Sequence, residues 1–254
     1  MPAAASPADH ALASRAATLA GELLVRLRSE LHQAGAEPRS MGDEGDRRAH
    51  VLLTELLARE SPADAVLSEE GKDDLARLDA SRVWIIDPVD GTREYSEHGR
   101  VDWAVHVALT IDGEVAAGAV ALPARNLTLG TDPAPPPPPR NDGEIRILVS
   151  RTRPPAQAAL LQDALGGRLV PLGSAGAKAM AVVLGEADVY AHSGGQYEWD
   201  NAAPAAVALA AGLHASRLDG SPLRYNQRDP WLPDLLICRP DLAEPVISAL
   251  LAEA

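Results

Sequence analysis

The chain has 254 residues and a formal net charge of −13, from 23 Lys and Arg against 36 Asp and Glu. Such acidity repels nucleic-acid backbones and anionic lipid, which excludes polyanionic polymers and membrane surfaces as default partners; a phosphate ester would need a cation as intermediary. Apolar residues make up 46%, enough to bury the core of one large or two modest domains, so disorder of the whole chain is excluded.

From Asp9, read as an N-cap, Leu12, Ala16, Leu19, Leu23, Leu27 and Leu31 recur at helical spacing and predict a long first helix. Ala49, Leu52, Leu53, Leu56 and Leu57 predict a second, entered from an acidic loop over 42–46 that places Asp46 at the helix start. Ala65 to Leu67 and Val83 to Ile86 read as strands, each followed by acidic residues. Trp103 to Thr110 and Glu114 to Ala121 read as an antiparallel pair joined by the hairpin signal Asp112-Gly113. Five consecutive prolines, 135–139, have no ladder donors and predict an extended connector. The expected division is therefore an α+β domain over 1–132, a connector over 133–143 and an α/β domain over 144–254. In that last part, strands are expected at Ile145 to Val149, 188–191 and Leu235 to Cys238, and helices at 156–165, 175–185, 201–212 and 242–252.

There is no Phe and there are 47 Ala, so the core must be built from small side chains. A lone cysteine, Cys238, forms no internal disulfide, which suits a reducing compartment. Residues 1–10 carry no Lys or Arg, unlike a secretory signal, and no run approaches the roughly 18 apolar residues of a membrane span. A cytoplasmic, soluble protein is the expectation.

The segment Ile85-Ile86-Asp87-Pro88-Val89-Asp90-Gly91-Thr92 concentrates the chemistry. A buried strand delivers Asp87 at its carboxyl end, and Asp90 brings a second carboxylate to the same side. Gly91 and Thr92 then offer free backbone N–H groups at a helix start, a ready anion site. Two hard carboxylates beside an anion cradle describe a magnesium-phosphate site. Scattered histidines without a paired second ligand argue against zinc.

Asp87-Pro88-Val89-Asp90-Gly91-Thr92-Arg93-Glu94-Tyr95 resembles the signature of the inositol monophosphatase superfamily, and Arg-Glu-aromatic after Gly-Thr is most similar to its CysQ-type 3'(2'),5'-bisphosphate nucleotidases. Further landmarks follow in family order: Ser68-Glu69-Glu70, Val149-Ser150-Arg151, Gly173-Ser174 through Lys178, and Glu198-Trp199-Asp200-Asn201-Ala202-Ala203. The resemblance implies a layered αβαβα fold, a homodimer, and two or three Mg²⁺ ions held by Glu69, Asp87, Asp90, Asp200 and the Val89 carbonyl. It implies that Asp46 and Thr92, with Glu69, activate the attacking water, a hydroxyl needing a carboxylate behind it to act as a base. The family's usual lead-in to Asp46 is degraded here to Arg39-Ser40-Met41-Gly42-Asp43.

The implied substrate pocket comprises Asp90, Gly91, Thr92, Asp200, Ser150, Arg151, Gly173, Ser174, Lys178 and His192, with Arg151 or Lys178 facing a second phosphate. Alone, Lys178 on a helix reads equally as a solvated cation, and His192 as structural. Tyr190, and Tyr225-Asn226 between Arg224 and Arg228, are weaker candidates. The implied reaction is removal of the 3'-phosphate of adenosine 3',5'-bisphosphate (PAP), and of its sulfated relative PAPS, in sulfur assimilation. Alternatives are inositol 1-phosphate or fructose 1,6-bisphosphate hydrolysis, and, in a different class, a non-catalytic metal-binding interaction protein.

Overall fold

A computed structural model describes residues 4–139, 143–152, 154–155 and 157–252. Residues 140–142 of the expected connector and residue 156 of an expected helix lie outside the described residues.

Helix α1 spans Pro7–Gln33 and starts from a capping box: Ser6, not Asp9, is the N-cap, and the Asp9 carboxylate accepts from the Ser6 amide at 2.7 Å. Asp9 is placed by its other oxygen, which pairs with Arg82 at 2.6 Å. Helix α2 spans Pro38–Glu60, so the expected acidic loop is helical and Asp46 lies within the helix, not at its start. The glycines that signalled a loop serve close packing instead. A Cβ on Gly42 would sit 2.6 Å from Thr92 Cγ2, and one on Gly45 2.7 Å from the Tyr95 ring. Each glycine costs the helix about 1 kcal/mol, and tertiary contact overrides that preference.

The first sheet runs β1-β2-β3-β4-β5, from Ala65–Ser68, Arg82–Asp90, Ala104–Ile111, Glu114–Leu122 and Leu127–Gly130. β1 pairs with β2 in parallel and the remaining pairs are antiparallel. Asp112 and Gly113 both adopt positive φ at the β3–β4 turn, as the hairpin signal predicts. Trp103 falls just before β3 and is buried.

The second sheet runs β7-β6-β8-β10-β9, from Arg168–Leu172, Arg146–Ser150, Val189–Tyr197, Trp231–Cys238 and His214–Ser216. β6 is parallel to both neighbours, whereas β10 is antiparallel to β8 and β9. The helices of this half are α4 (Ala158–Leu165), α5 (Ala175–Val183), α6 (Glu198–Ala210) and α7 (Pro240–Leu251), after a one-turn α3 over Thr92–Ser96.

Both sheets are covered on both faces, which is why their strands read as continuous apolar runs. Trp84, Ile86, Val105, Val107 and Leu109 pack under α1 and α2. Their neighbours Val83, Ile85, Ala104 and Ala108 face a central cluster with Met180, Ala203, Val207, Tyr190, Leu235 and Ile237. Beyond the second sheet, Ile147, Val189, Leu236 and Cys238 join Leu161, Leu242 and Val246 of α4 and α7. The result is a layered α-β-α-β-α arrangement, and the central cluster draws residues from both sides of the proline run. Small residues let α6 approach β4: a Cβ on Gly118 would lie 3.1 Å from that of Ala206.

Candidate active site

β2 carries Asp87 and Asp90 to the edge of a cavity through a bulge. Asp87 pairs with His106 and Asp90 with Ala104, so three steps on β2 match two on β3. The extra residue reverses the strand's alternation and turns both carboxylates to one side. Gly91 follows with φ +85 as the N-cap of α3, and any Cβ there would lie 2.8 Å from Ser174 Cβ. Only glycine fits this turn.

From the other direction, α6 delivers Asp200 in its first turn, with its carboxylate accepting from the Tyr197 amide at 2.6 Å. Ligand atoms of Asp87, Asp90 and Asp200 lie within 4.8 Å of one another. Asp90 is anchored by the first amides of α5, with Ala175 and Gly176 donating at 3.1 and 2.6 Å. Burial opposes its charge, but His106, the Gly176 amide and Lys178 outweigh that and hold its pKa below the usual range.

In the other carboxylates burial and like charge prevail over the compensating groups. Burial, then the charges of Glu69 and Asp90, pushes Asp87 well above its ordinary range, and its Oδ1 is buried without a partner. Burial and Asp90 raise Asp200 to about 6. Glu69, just past β1, is largely open to the cavity, yet desolvation of its carboxyl and the charges of Asp200, Glu70 and Asp90 raise it to about 7. Glu70 is exposed, as its place one residue further suggests. Clustered carboxylates with raised pKa values and an orphaned buried oxygen fit a hard cation held by oxygen donors. The cluster could therefore bind a metal.

Thr92 Oγ1 donates to Asp46 Oδ2 at 3.4 Å and lies 3.2 Å from the Val89 carbonyl. Asp46 is buried, its Oδ1 has no partner, and burial together with Glu70 and Glu69 raises its pKa to about 8. The sequence-predicted pair is thus brought together, though from mid-helix.

A cavity of about 860 Å³ opens over this floor. Glu69, Asp90, Gly91, Thr92 and Asp200 line it together with Ser150, Arg151, Gly173, Ser174, Lys178 and His192. Lys178 is not a solvated helix cation: it is buried, its Nζ donates to the carbonyls of Gly173 and Ser174, and it sits 5.2 Å above the Tyr190 ring. Burial lowers its pKa to about 8. Arg151 donates to Glu94 and Glu97 at 2.7 and 3.0 Å. Ser174 caps α5, accepting from Ala177 at 2.9 Å, and His192 lies 3.1 Å from the Gly195 carbonyl.

The 224–228 loop is not part of this cavity. Tyr225 is buried in the core, Arg224 pairs with Glu114, and Asn226 bonds Arg77 and Glu198. Sequence reasoning missed His106, whose place opposite Asp87 depends on strand register, and Glu94 and Asp102, which hold Arg151 and the Gly173 amide.

A layered fold with a carboxylate cluster beneath a roomy polar cavity, and amides converging on its edge, defines a metal-assisted phosphatase. The chain belongs to the inositol monophosphatase family, whose model matches residues 6–133 and 137–252. It is 54% identical to a Mycobacterium bovis 3'-phosphoadenosine 5'-phosphate phosphatase, over 92% of this chain and 90% of that protein. Among solved structures, it resembles CysQ from Bacteroides thetaiotaomicron with a TM-score of 0.74 and 25% identity, over 91% of this chain and 96% of that one. Staphylococcus aureus inositol monophosphatase II superposes with a TM-score of 0.80 over 96% of this chain and 93% of that one; at 19% identity this likeness speaks for the fold.

Proposed function

We propose that the chain is a Mg²⁺-dependent phosphatase that removes the 3'-phosphate of PAP, and also acts on PAPS. The observation that carries this reading is the 54% identity to a PAP phosphatase over nearly the whole chain, joined to the cluster of Asp87, Asp90 and Asp200 beside one cavity.

In this reading Glu69, Asp87, Asp90, Asp200 and the Val89 carbonyl hold two or three Mg²⁺ ions. When bound, Mg²⁺ supplies Lewis-acid chemistry, lowering the pKa of the attacking water and neutralising charge on the phosphate and the leaving alkoxide. Thr92 orients that water through its hydroxyl, and Asp46 behind it takes up the proton; a pKa near 8 suits proton uptake around neutrality. Asp90 is kept fixed and ionised by the α5 amides and His106. Arg151 and Lys178 place positive charge on the cavity wall, where a nucleotide's second phosphate would lie. Gly91, Gly173, Ser174, Ser150 and His192 shape the remaining wall. The enzyme works as a homodimer in the cytoplasm, a reading supported by the family resemblance and by a lone, buried cysteine.

Comparing kcat/KM for PAP, PAPS, inositol 1-phosphate and fructose 1,6-bisphosphate with Mg²⁺ tests the substrate. PAP is expected to lead; a lead for inositol 1-phosphate or fructose bisphosphate overturns the assignment.

A further inference from the structure

The chain has only eight aromatic side chains outside histidine, four Trp and four Tyr. Trp84, Trp103, Tyr95, Tyr190 and Tyr225 are buried. The remaining three, Tyr197, Trp199 and Trp231, all line the active-site cavity. Tyr197 is 45% exposed and Trp231 47%, so most of the unburied aromatic surface of the molecule is spent at one mouth. Large exposed rings gathered at a cavity mark a recognition surface rather than packing.

These rings are fixed in place. Tyr197 stacks in parallel on Trp199, with centroids 4.8 Å apart and 6° between the planes. The same residue's amide donates to Asp200, so the stack adjoins the carboxylate cluster. Trp231 is the register partner of Tyr197 across β8 and β10. Its indole is seated on Gly195, where φ is +91 and a Cβ would fall 2.6 Å from Nε1. A side chain at 195 would displace the ring. Elsewhere the wall includes charged and hydroxylic side chains, among them Glu69, Arg151, Ser174 and Lys178, and glycine backbone.

We infer that Tyr197 and Trp231 form the wall on which the purine of the substrate stacks, and so set specificity for a nucleotide over a polyol or sugar phosphate. The chemistry selects this guest. A purine has π-faces for aromatic stacking, which an inositol or fructose ring lacks. The inference rests on the reading of the substrate as a nucleotide.

The test uses Tyr197→Ala, Trp231→Ala, the double variant and Trp231→Phe. Stacking on aromatic side chains corresponds to roughly 5- to 150-fold in affinity per base. In each alanine variant kcat/KM for PAP is expected to fall about tenfold more than that for inositol 1-phosphate, chiefly through KM, with Trp231→Phe recovering most of the loss. Equal losses on both substrates would make the rings structural and overturn the inference. So would undiminished PAP hydrolysis by the double variant.

Calorimetric binding of AMP and ribose 5-phosphate separates this inference from the functional assignment. A larger loss for AMP than for ribose 5-phosphate in the double variant supports the stacking wall, even if the wild type prefers inositol 1-phosphate and PAP is not the substrate. Equal affinity changes for the two ligands overturn it.

Discussion

His106 Nε2 lies 3.1 Å from Asp90 Oδ2, while its Nδ1 lies 2.9 Å from the Trp199 carbonyl. Nδ1 is hydrogen-bonded to the Trp199 carbonyl and Nε2 meets Asp90 at ion-pair distance; Asp90 and the Trp199 carbonyl outweigh burial and raise the ring's pKa. One buried histidine thereby ties the first-sheet carboxylate Asp90 to the start of the helix bearing Asp200. Replacing such a supporting group lowers metal affinity by about 10- to 100-fold. His106→Asn is expected to raise the Mg²⁺ concentration for half-maximal activity by that factor, with a smaller loss at saturating Mg²⁺. A Mg²⁺ titration of phosphate release checks it.

The Thr92–Asp46 pair is assigned to proton removal, so its loss should appear in turnover and not in binding. Asp46→Asn and Thr92→Ala are expected to lower kcat by about 10²- to 10⁴-fold with little change in KM, and Thr92→Ser to retain most activity. Steady-state kinetics on PAP distinguishes these outcomes from a loss of substrate affinity.

Gly42 tests the role of close helix approach. Alanine there improves helix propensity by about 1 kcal/mol, yet its Cβ would meet Thr92 Cγ2 at 2.6 Å and push the pair apart. Gly42→Ala is expected to keep its helical circular dichroism while losing at least about tenfold in kcat. Unchanged kcat would show that Thr92 tolerates displacement.

Metal binding should be linked to pH through the carboxylates. Asp46 near 8, Glu69 near 7 and Asp200 near 6 all lie above their unfolded values, so the metal-free folded chain holds protons that the unfolded chain has released. Its stability therefore falls as pH rises from about 4 toward 8. A cation held by Glu69 and Asp200 would replace the protons on those two groups, and the rise in melting temperature on adding Mg²⁺ is expected to be larger at pH 8 than at pH 6. Thermal unfolding at both pH values checks this; an equal or smaller rise at pH 8 would contradict the linkage.

Much of the site was legible because its chemistry is local in sequence. Asp87, Asp90, Gly91 and Thr92 fall within six residues, and the Trp-Asp and Ser-Glu-Glu landmarks supplied Asp200 and Glu69. What failed depends on tertiary neighbours. Gly42 and Gly45 read as loop residues because the rings and methyls they make room for lie some fifty residues away. Lys178 read equally as solvated because burial under Tyr190 depends on the packing of α5. His106 carried no motif, and only register with β2 reveals it. β7 and β9 are short edge strands, β7 containing Pro171, and such strands carry little alternation to read.

Phosphate release from PAP by the wild type and by Asp90→Asn, each across a Mg²⁺ titration, tests the central claim most directly. The wild type is expected to show Mg²⁺-dependent release that chelation abolishes. Asp90→Asn is expected to lose more than about a hundredfold in kcat/KM while remaining folded. Release by Asp90→Asn equal to that of the wild type with Mg²⁺ present would contradict a catalytic carboxylate centre.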